Sequence, residues 1–423
     1  MVNVMIINII ILVFFLFSIY FTIKYKFMQL KSPFKSYKII VKDKSKSSYQ
    51  TFMVLLASHI GTGNIVGITS ALIVGGPGSL FWMWVYAIFS SILSLIENTL
   101  AQVYKERINN ENRGGSSYYI DKGLGLKKLA MMIAFFLMLS NTIFFQPLQV
   151  NTISETLLLI TNSKKTLIFI LLIVFTFLVI FRGTKTIVHF SEFVVPIMSI
   201  TYILLGLFLI LINIEKFPGV IRIIFTDAFN KESILGGVIF VGFKRSLFSH
   251  EAGLGTMPTI SAMDECEKPI NQGFISCFGV FIDTIVMCSI TGFMILLYNI
   301  KLENTSQVGL IVDVFEKIFG KIGFYLACFF MLTFAFATFV SQFYLGESNL
   351  LFLTKNKEKN RKVFGILYKG LFIIGICLGV YANINSIWNI IDIGMILLGI
   401  INLFALCKLS SVFKREIKYE TFY

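Results

Sequence analysis

Two stretches of this chain carry the residues that could hold a small charged guest. The first is Ala57-Ser58-His59-Ile60-Gly61-Thr62-Gly63-Asn64-Ile65-Val66-Gly67. The second is Gly242-Phe243-Lys244-Arg245-Ser246-Leu247-Phe248-Ser249-His250-Glu251-Ala252-Gly253-Leu254-Gly255. Each sits in the middle of an apolar segment long enough to cross a bilayer, and each should interrupt its helix. In lipid every backbone N–H and C=O needs a partner, so irregular backbone persists there only where it lines a cavity or binds something. A broken helix then offers two complementary ends. The half-helix N-terminus presents N–H groups and a positive dipole end, which suit a carboxylate. The half-helix C-terminus presents carbonyls, which suit Na⁺ or an amine. Glycine permits the unusual dihedrals and the close approach of a ligand.

The chemistry that follows is recognition of a zwitterion together with a cation. The N–H groups around Gly63 and Asn64 would take a carboxylate, with Thr62 adding a hydroxyl. Carbonyls from Ser58 to Gly61 and the hydroxyl of Thr338 would close an oxygen shell, the ligand type a hard cation prefers. Lys244, Arg245 and Glu251 share the second stretch. Charge within a span costs at least ~2.5 kcal/mol per group, so these three read as structural or gating partners rather than substrate ligands. Phe248 and Trp388 read as packing or as gates. His59 and His250 lie at the two breaks, where a satisfied buried imidazole competes with a protonation role. The Gly61-Thr62-Gly63 run lacks the strand and the glycine spacing of a nucleotide loop. Gly63-x-x-x-Gly67 read alone is also a helix-packing motif.

These stretches need elements to hold them. The 423 residues are 56% hydrophobic and only 14% charged, against about 25% charged in a soluble protein. The expected class is therefore an all-α polytopic membrane protein. Eleven segments suffice to span: about 4–24, 50–75, 79–104, 127–160, 166–182, 187–213, 234–263, 270–300, 321–352, 362–381 and 384–407. Most of the 37 Lys and Arg fall on one set of alternate loops. The net charge of +14 therefore reads as a topology signal, and its placement argues against nucleic acid. The positive-inside rule puts the rich side in the cytoplasm, the N-terminus outside and the C-terminus inside. The Lys- and Ser-rich segment 24–49 is expected as a mobile cytoplasmic loop. The first apolar helix lacks a basic n-region and a small-residue cleavage site, so it reads as a retained span. Six cysteines without a CxxC read as reduced, structural thiols. In the span 127–160, Gln146 and Gln149 are three apart and should share a face, and Pro147 should kink the helix.

Setting the first helix aside leaves ten, and the two broken helices begin each half. The expected organisation is 1–49 as an extra helix with a basic loop, 50–214 as one five-helix repeat, 215–407 as a second, and 408–423 as a cytoplasmic tail. Five is odd, so the halves run in opposite senses. Broken helices at corresponding positions of inverted repeats are the best sequence pointer to a transporter site.

The chain resembles the alanine or glycine:cation symporter family, the sodium:alanine symporters, over roughly residues 47–407. The matching stretches are Gly61-Thr62-Gly63-Asn64-Ile65, Gly75-Gly76-Pro77-Gly78 through Phe81-Trp82-Met83-Trp84-Val85, and Gln149-Val150-Asn151. Lys244-Arg245 to Phe248-Ser249 with Glu251-Ala252-Gly253, and Phe281-Ile282-Asp283-Thr284, complete the set. The resemblance implies a core of inverted repeats like that of the leucine/sodium symporters, in a bacterial-type inner membrane. It implies Na⁺-driven uptake of a small neutral amino acid such as alanine or glycine, with H⁺ in some members and no organic cofactor. Carried over, Thr62, Gly63, Asn64, Gln149, Phe248 and Ser249 would line the substrate pocket. Ser58, Gly61 and Thr338 would hold Na⁺. The chain departs from the family pattern at His59, at His250 where Asn is usual, at Ala337 where a second hydroxyl is usual, and at Gln342. Proton coupling through His59 or His250, and a non-transporting amino-acid sensor, are the alternatives.

Overall fold

The computed structural model describes residues 4–42, 61–108, 111–180, 184–266, 268–300, 306–354 and 358–421. The first span forms as expected, as α1 (Val4–Lys24). The segment after it is not a loop throughout. A turn of 3₁₀ helix at Met28–Lys31 leads into α2 (Ser32–Lys42). The Ser36 hydroxyl donates to the Phe274 carbonyl over 2.8 Å, which fixes α2 against a membrane helix. The lysine count had concealed an amphipathic pattern, in which Ser32, Ser36, Ile39 and Ile40 turn inward.

The first break is followed by α3 (Val66–Gly75), which ends where Gly76 takes φ 75°. Pro77 then precedes α4 (Gly78–Val103); its fixed φ suits the start of a helix. Two short strands, β1 (Glu106–Ile108) and β2 (Glu111–Arg113), pair antiparallel in the loop that follows. They are a small addition to the expected all-helical fold. The next span, α5 (Lys127–Thr161), is interrupted by a π turn at Ser140–Phe144. Pro147 falls in the first turn after that interruption, where its missing N–H costs nothing.

The helices α6 (Lys165–Ile180) and α7 (Thr184–Ile212) precede α8 (Phe217–Ala228), which turns away from α7 by 102°. The second anomalous stretch begins as α9 (Val238–His250) and stops there. After it come α10 (Pro269–Leu297), α11 (Gln307–Phe319), α12 (Lys321–Leu353), α13 (Glu358–Tyr381), α14 (Ile384–Lys408) and α15 (Ser410–Thr421). Among the described residues seven helices are individually long and apolar enough to cross a bilayer, or eight if the bent α7–α8 pair is one span. The segments Thr62–Gly75 and Lys165–Leu178 are shorter apolar helices. The expected spans at 50–75 and 166–182 lie partly outside the described residues.

α4 packs on both α9 and α10, and α12 packs on α5 and α11. α1 lies along α4 and α14. A Cβ placed on Gly399 of α14 would run into the Phe14 ring of α1, so the two helices approach as closely as small residues allow. At the other end of α1, Lys24 Nζ donates to Ser410 Oγ over 3.2 Å and Tyr25 OH to the Ser410 carbonyl over 2.9 Å. The close of α1 and the start of α15 thus share one end of the molecule.

Candidate functional site

Both stretches leave regular α-helix among the described residues. In the first, Thr62–Asn64 is a single 3₁₀ turn after a non-helical Gly61 at φ −145°, ψ −148°. In the second, Glu251, Gly253 and Gly255 all have positive φ, at 53°, 85° and 79°. Glycine takes that left-handed region without penalty; the α9 helix could not have continued through it. The two breaks lie against each other. A Cβ on Gly63 would stand 3.1 Å from the Ser249 Cα. A Cβ on Gly61 would run into the Thr338 hydroxyl of α12. Gly61 and Thr338, and Gly63 and Ser249, are therefore neighbours.

Hydrogen bonds fix them. Thr62 Oγ1 donates to Gln149 Oε1 of α5 over 2.6 Å. Gln146 and Asn151 are directed elsewhere: their side-chain amides donate to the carbonyls of Phe372 and Gly379 on α13, each over 3.2 Å. Gln146 and Gln149 thus serve different neighbours despite their spacing. Asn64 Oδ1 accepts from the Gly61 N–H over 2.9 Å, which staples the first break across its own turn.

The residue that joins the breaks is Asp283. Its Oδ1 accepts from Asn64 Nδ2 over 2.6 Å. Its Oδ2 accepts from Ser249 Oγ and from Thr284 Oγ1, each over 2.7 Å. Its side chain is 0% exposed. Asp283 stands in a π-helical segment, Phe281–Cys288, inside α10. The wide turn lets Asp283, Thr284, Met287 and Cys288 all face inward, while Phe281 is exposed and Ile282 and Ile285 are half-buried. Such π segments recur at functional positions. A carboxylate in a span is itself a signal of function; sequence reasoning quoted Asp283 in a motif without assigning it a role.

Glu97, also 0% exposed, does the same for the far side of the second break. Its Oε1 accepts from the Gly253 N–H over 3.0 Å, and its Oε2 from the Gly255 N–H over 3.1 Å. Asn402 of α14 donates to Glu97 Oε2 over 2.8 Å and to the Gly253 carbonyl over 3.0 Å. Tyr119 OH in turn donates to Asn402 Oδ1. Neither Glu97 nor Asn402 was singled out from sequence.

The cations of α9 find their partner on α14. Lys244 Nζ lies 3.4 Å from Asp392 Oδ2 and Arg245 Nη1 lies 3.7 Å from Asp392 Oδ1. The Arg245 guanidinium stacks over the Trp388 ring at 3.5 Å, and that ring meets Phe248 edge-on at 5.2 Å. Glu251 instead ends α9 in a left-handed conformation. His250 is held at both nitrogens. The Ala252 N–H donates to Nδ1 over 3.0 Å, and Nε2 stands 3.0 Å from Ser90 Oγ. An Nδ1 that accepts from a backbone N–H carries no proton, so the ring is the neutral Nε2–H tautomer. Ser58 and His59 lie outside the described residues.

A helical membrane bundle in which two stretches of irregular backbone meet at a shared polar centre is the architecture expected of a secondary transporter. A crystal structure of MhsT in complex with L-phenylalanine shares this fold, with a TM-score of 0.64 at 15% identity over 86% of this chain and 89% of that one. The sodium:alanine symporter family model matches residues 1–421. The amino-acid carrier protein AlsT of Bacillus subtilis is 36% identical, with 93% of this chain and 85% of AlsT aligned. The probable sodium/glutamine symporter GlnT of Bacillus subtilis is 33% identical over 96% and 86%. The sodium/alanine symporter AgcS of Methanococcus maripaludis is 32% identical over 95% and 91%. This chain belongs to the sodium:alanine symporter family. It is a multi-pass membrane protein of amino-acid transport, not an enzyme.

Proposed function

We propose that this protein is a Na⁺-coupled symporter of a small neutral amino acid, alanine or glycine, working by alternating access. The observation that carries the reading is the pairing of Asn64 and Ser249 through Asp283, which makes the two breaks one site. The substrate carboxylate lies at the N–H groups of Gly63 and Asn64, beside Thr62 and Gln149, with Phe248 and Ser249 on the other wall. Na⁺ is held by carbonyls from Ser58 to Gly61 and by the Thr338 hydroxyl. Asp283 supplies the negative charge that a cation entering this cleft meets. Arg245, Trp388 and Phe248 form the stack that closes over it. The relatives are named for alanine and for glutamine, so the family leaves pocket size to decide the substrate. Gly63 packed on Ser249 favours a small side chain.

The halves 50–214 and 215–407 are the two inverted repeats, and the N-terminus faces outward with the C-terminus in the cytoplasm. One Na⁺ moving inward at ~100 mV releases about 2.3 kcal/mol. A tenfold Na⁺ gradient adds about 1.4 kcal/mol. Together they sustain roughly a 400-fold gradient of substrate at one Na⁺ per molecule.

Uptake of radiolabelled alanine and glycine into proteoliposomes, with and without an inward Na⁺ gradient, tests the reading. Gradient-driven accumulation that collapses without Na⁺ supports it. Binding with no uptake under any gradient would leave a sensor instead. Uptake that ignores Na⁺ but follows an imposed pH gradient would move coupling to protons. A relative described as a putative sodium/proton-dependent alanine carrier, YrbD of Bacillus subtilis, keeps that arm in the experiment.

A further inference from the structure

A slot unrelated to the central site lies beside the first turn after α1. It has a volume of about 200 Å³. Leu30 and Pro33 form one wall, Ile88 and Ser91 of α4 a second, and Cys277 and Phe281 of α10 a third. The lining is mainly apolar. Leu30 is 57% exposed, and Ile88 and Phe281 are exposed too, so the slot opens on the outside of the bundle, the side that faces lipid.

Next to it runs α2. Phe34 and Tyr37, three residues apart, are 79% and 67% exposed, while Ser36 is pinned inward to α10. A short amphipathic helix with exposed aromatics and lysines, directly after a membrane span, lies in the plane of the interface. Lys38 is exposed on it and Lys31 just before it, and Lys35 Nζ sits 4.6 Å from the centre of the Phe274 ring. Burial and the neighbouring Lys31 together lower the pKa of Lys35, as expected of a cation held near another.

We propose that the slot and α2 form a binding site for one anionic phospholipid, with an acyl chain in the slot and the phosphate between Lys31 and Lys35. Two features fix the occupant. The apolar walls take hydrocarbon, and the lysines take negative charge, so a lipid of neutral headgroup satisfies only the first. The site bears on transport through α10, which contributes Cys277 and Phe281 to the slot and Asp283 to the centre.

The test reads lipid directly, without any transported substrate, so its outcome is separate from that of the transport reading. The full chain is purified in detergent with phosphatidylglycerol or phosphatidylcholine of identical acyl chains, and retained lipid is counted by native mass spectrometry. One phosphatidylglycerol is expected to stay bound in preference to phosphatidylcholine. Each lysine near an anionic headgroup is worth about fivefold in affinity, so Lys31→Gln with Lys35→Gln should weaken retention about 30-fold. Ser91→Leu, which fills the slot and leaves the lysines alone, should reduce retention of both lipids. Equal retention of the two headgroups by the unaltered protein would overturn the proposal, and that comparison needs no variant to fold. Undiminished phosphatidylglycerol on the double lysine variant, or on Ser91→Leu, would overturn it as well.

Discussion

Asn64 and Asp283 are joined by a 2.6 Å hydrogen bond between residues 219 positions apart in the chain. The same carboxylate accepts from Ser249, so one side chain of α10 determines how the two breaks are spaced. Asp283→Ala takes the carboxylate acceptor from three buried donors, Asn64, Ser249 and Thr284, at about 1–3 kcal/mol each. That variant should unfold at lower temperature in detergent and lose uptake. Asp283→Asn keeps an acceptor for Asn64 and should stay folded, yet lose at least ~10-fold in uptake because the charge is gone. Wild-type uptake and Na⁺ dependence in Asp283→Asn would remove Asp283 from the mechanism.

Gly63 and Gly67 have the spacing of a packing motif, but their surroundings differ. A Cβ on Gly63 meets Ser249 backbone at 3.1 Å, whereas one on Gly67 meets only the Phe248 ring at 4.0 Å. Gly67→Ala should therefore be tolerated, with a gain of about 0.5–1 kcal/mol from helix propensity. Gly63→Ala should separate the breaks and depress uptake more than about tenfold, a loss near 1.4 kcal/mol in the transport barrier. Equal effects of the two substitutions, in uptake assays at matched expression, would mean that only helix packing is at stake.

Asp392 answers two cations at once. Removing it by Asp392→Asn leaves Lys244 and Arg245 facing each other with no counter-charge, which in a buried setting costs about 3 kcal/mol or more. Arg245→Lys keeps the charge and loses the planar stack on Trp388, a smaller loss of about 0.5–2 kcal/mol. Thermal unfolding should rank Asp392→Asn below Arg245→Lys, and Arg245→Lys below wild type.

His250→Asn should be nearly silent. An Asn carbonyl can accept the Ala252 N–H as Nδ1 does, so uptake is expected to stay within about threefold of wild type. The uptake profile between about pH 6 and pH 8 should also lack a step that this substitution abolishes. Such a step, present in wild type and absent in His250→Asn, would make the ring a proton carrier.

Glu97→Gln tests the far side of the second break. A carboxamide has one acceptor oxygen where Glu97 uses two, for the Gly253 and Gly255 N–H groups. The variant should lose about 1–3 kcal/mol, and limited proteolysis should cut sooner near residues 251–257. Unchanged stability and cleavage would show that the break holds itself.

The irregular backbone itself was legible because glycine clusters and hydroxyls are conspicuous in apolar sequence; Gly61 stands beside Thr338, and Thr62 bonds Gln149, a residue singled out only through the family resemblance. Their partners were not legible. In sequence the charges of α9 stand together with Glu251, all three read as structural or gating groups. The actual partner, Asp392, is on α14, and nothing local announces a contact across that distance. Glu97 drew no reading in sequence because its donors, Gly253 and Gly255, acquire free N–H groups only once the second helix has stopped. Likewise α2 was hidden by its lysines, which outweigh the four inward positions that dock it.

Phe14 seated in the notch at Gly399 has a practical corollary for handling this molecule. The leading helix works as a wedge, and an expression vector that trims it would bare a grooved flank of α14 to detergent. Affinity tags should be appended ahead of Met1 rather than substituted for the opening residues, and shortened versions should show poorer monodispersity on gel filtration.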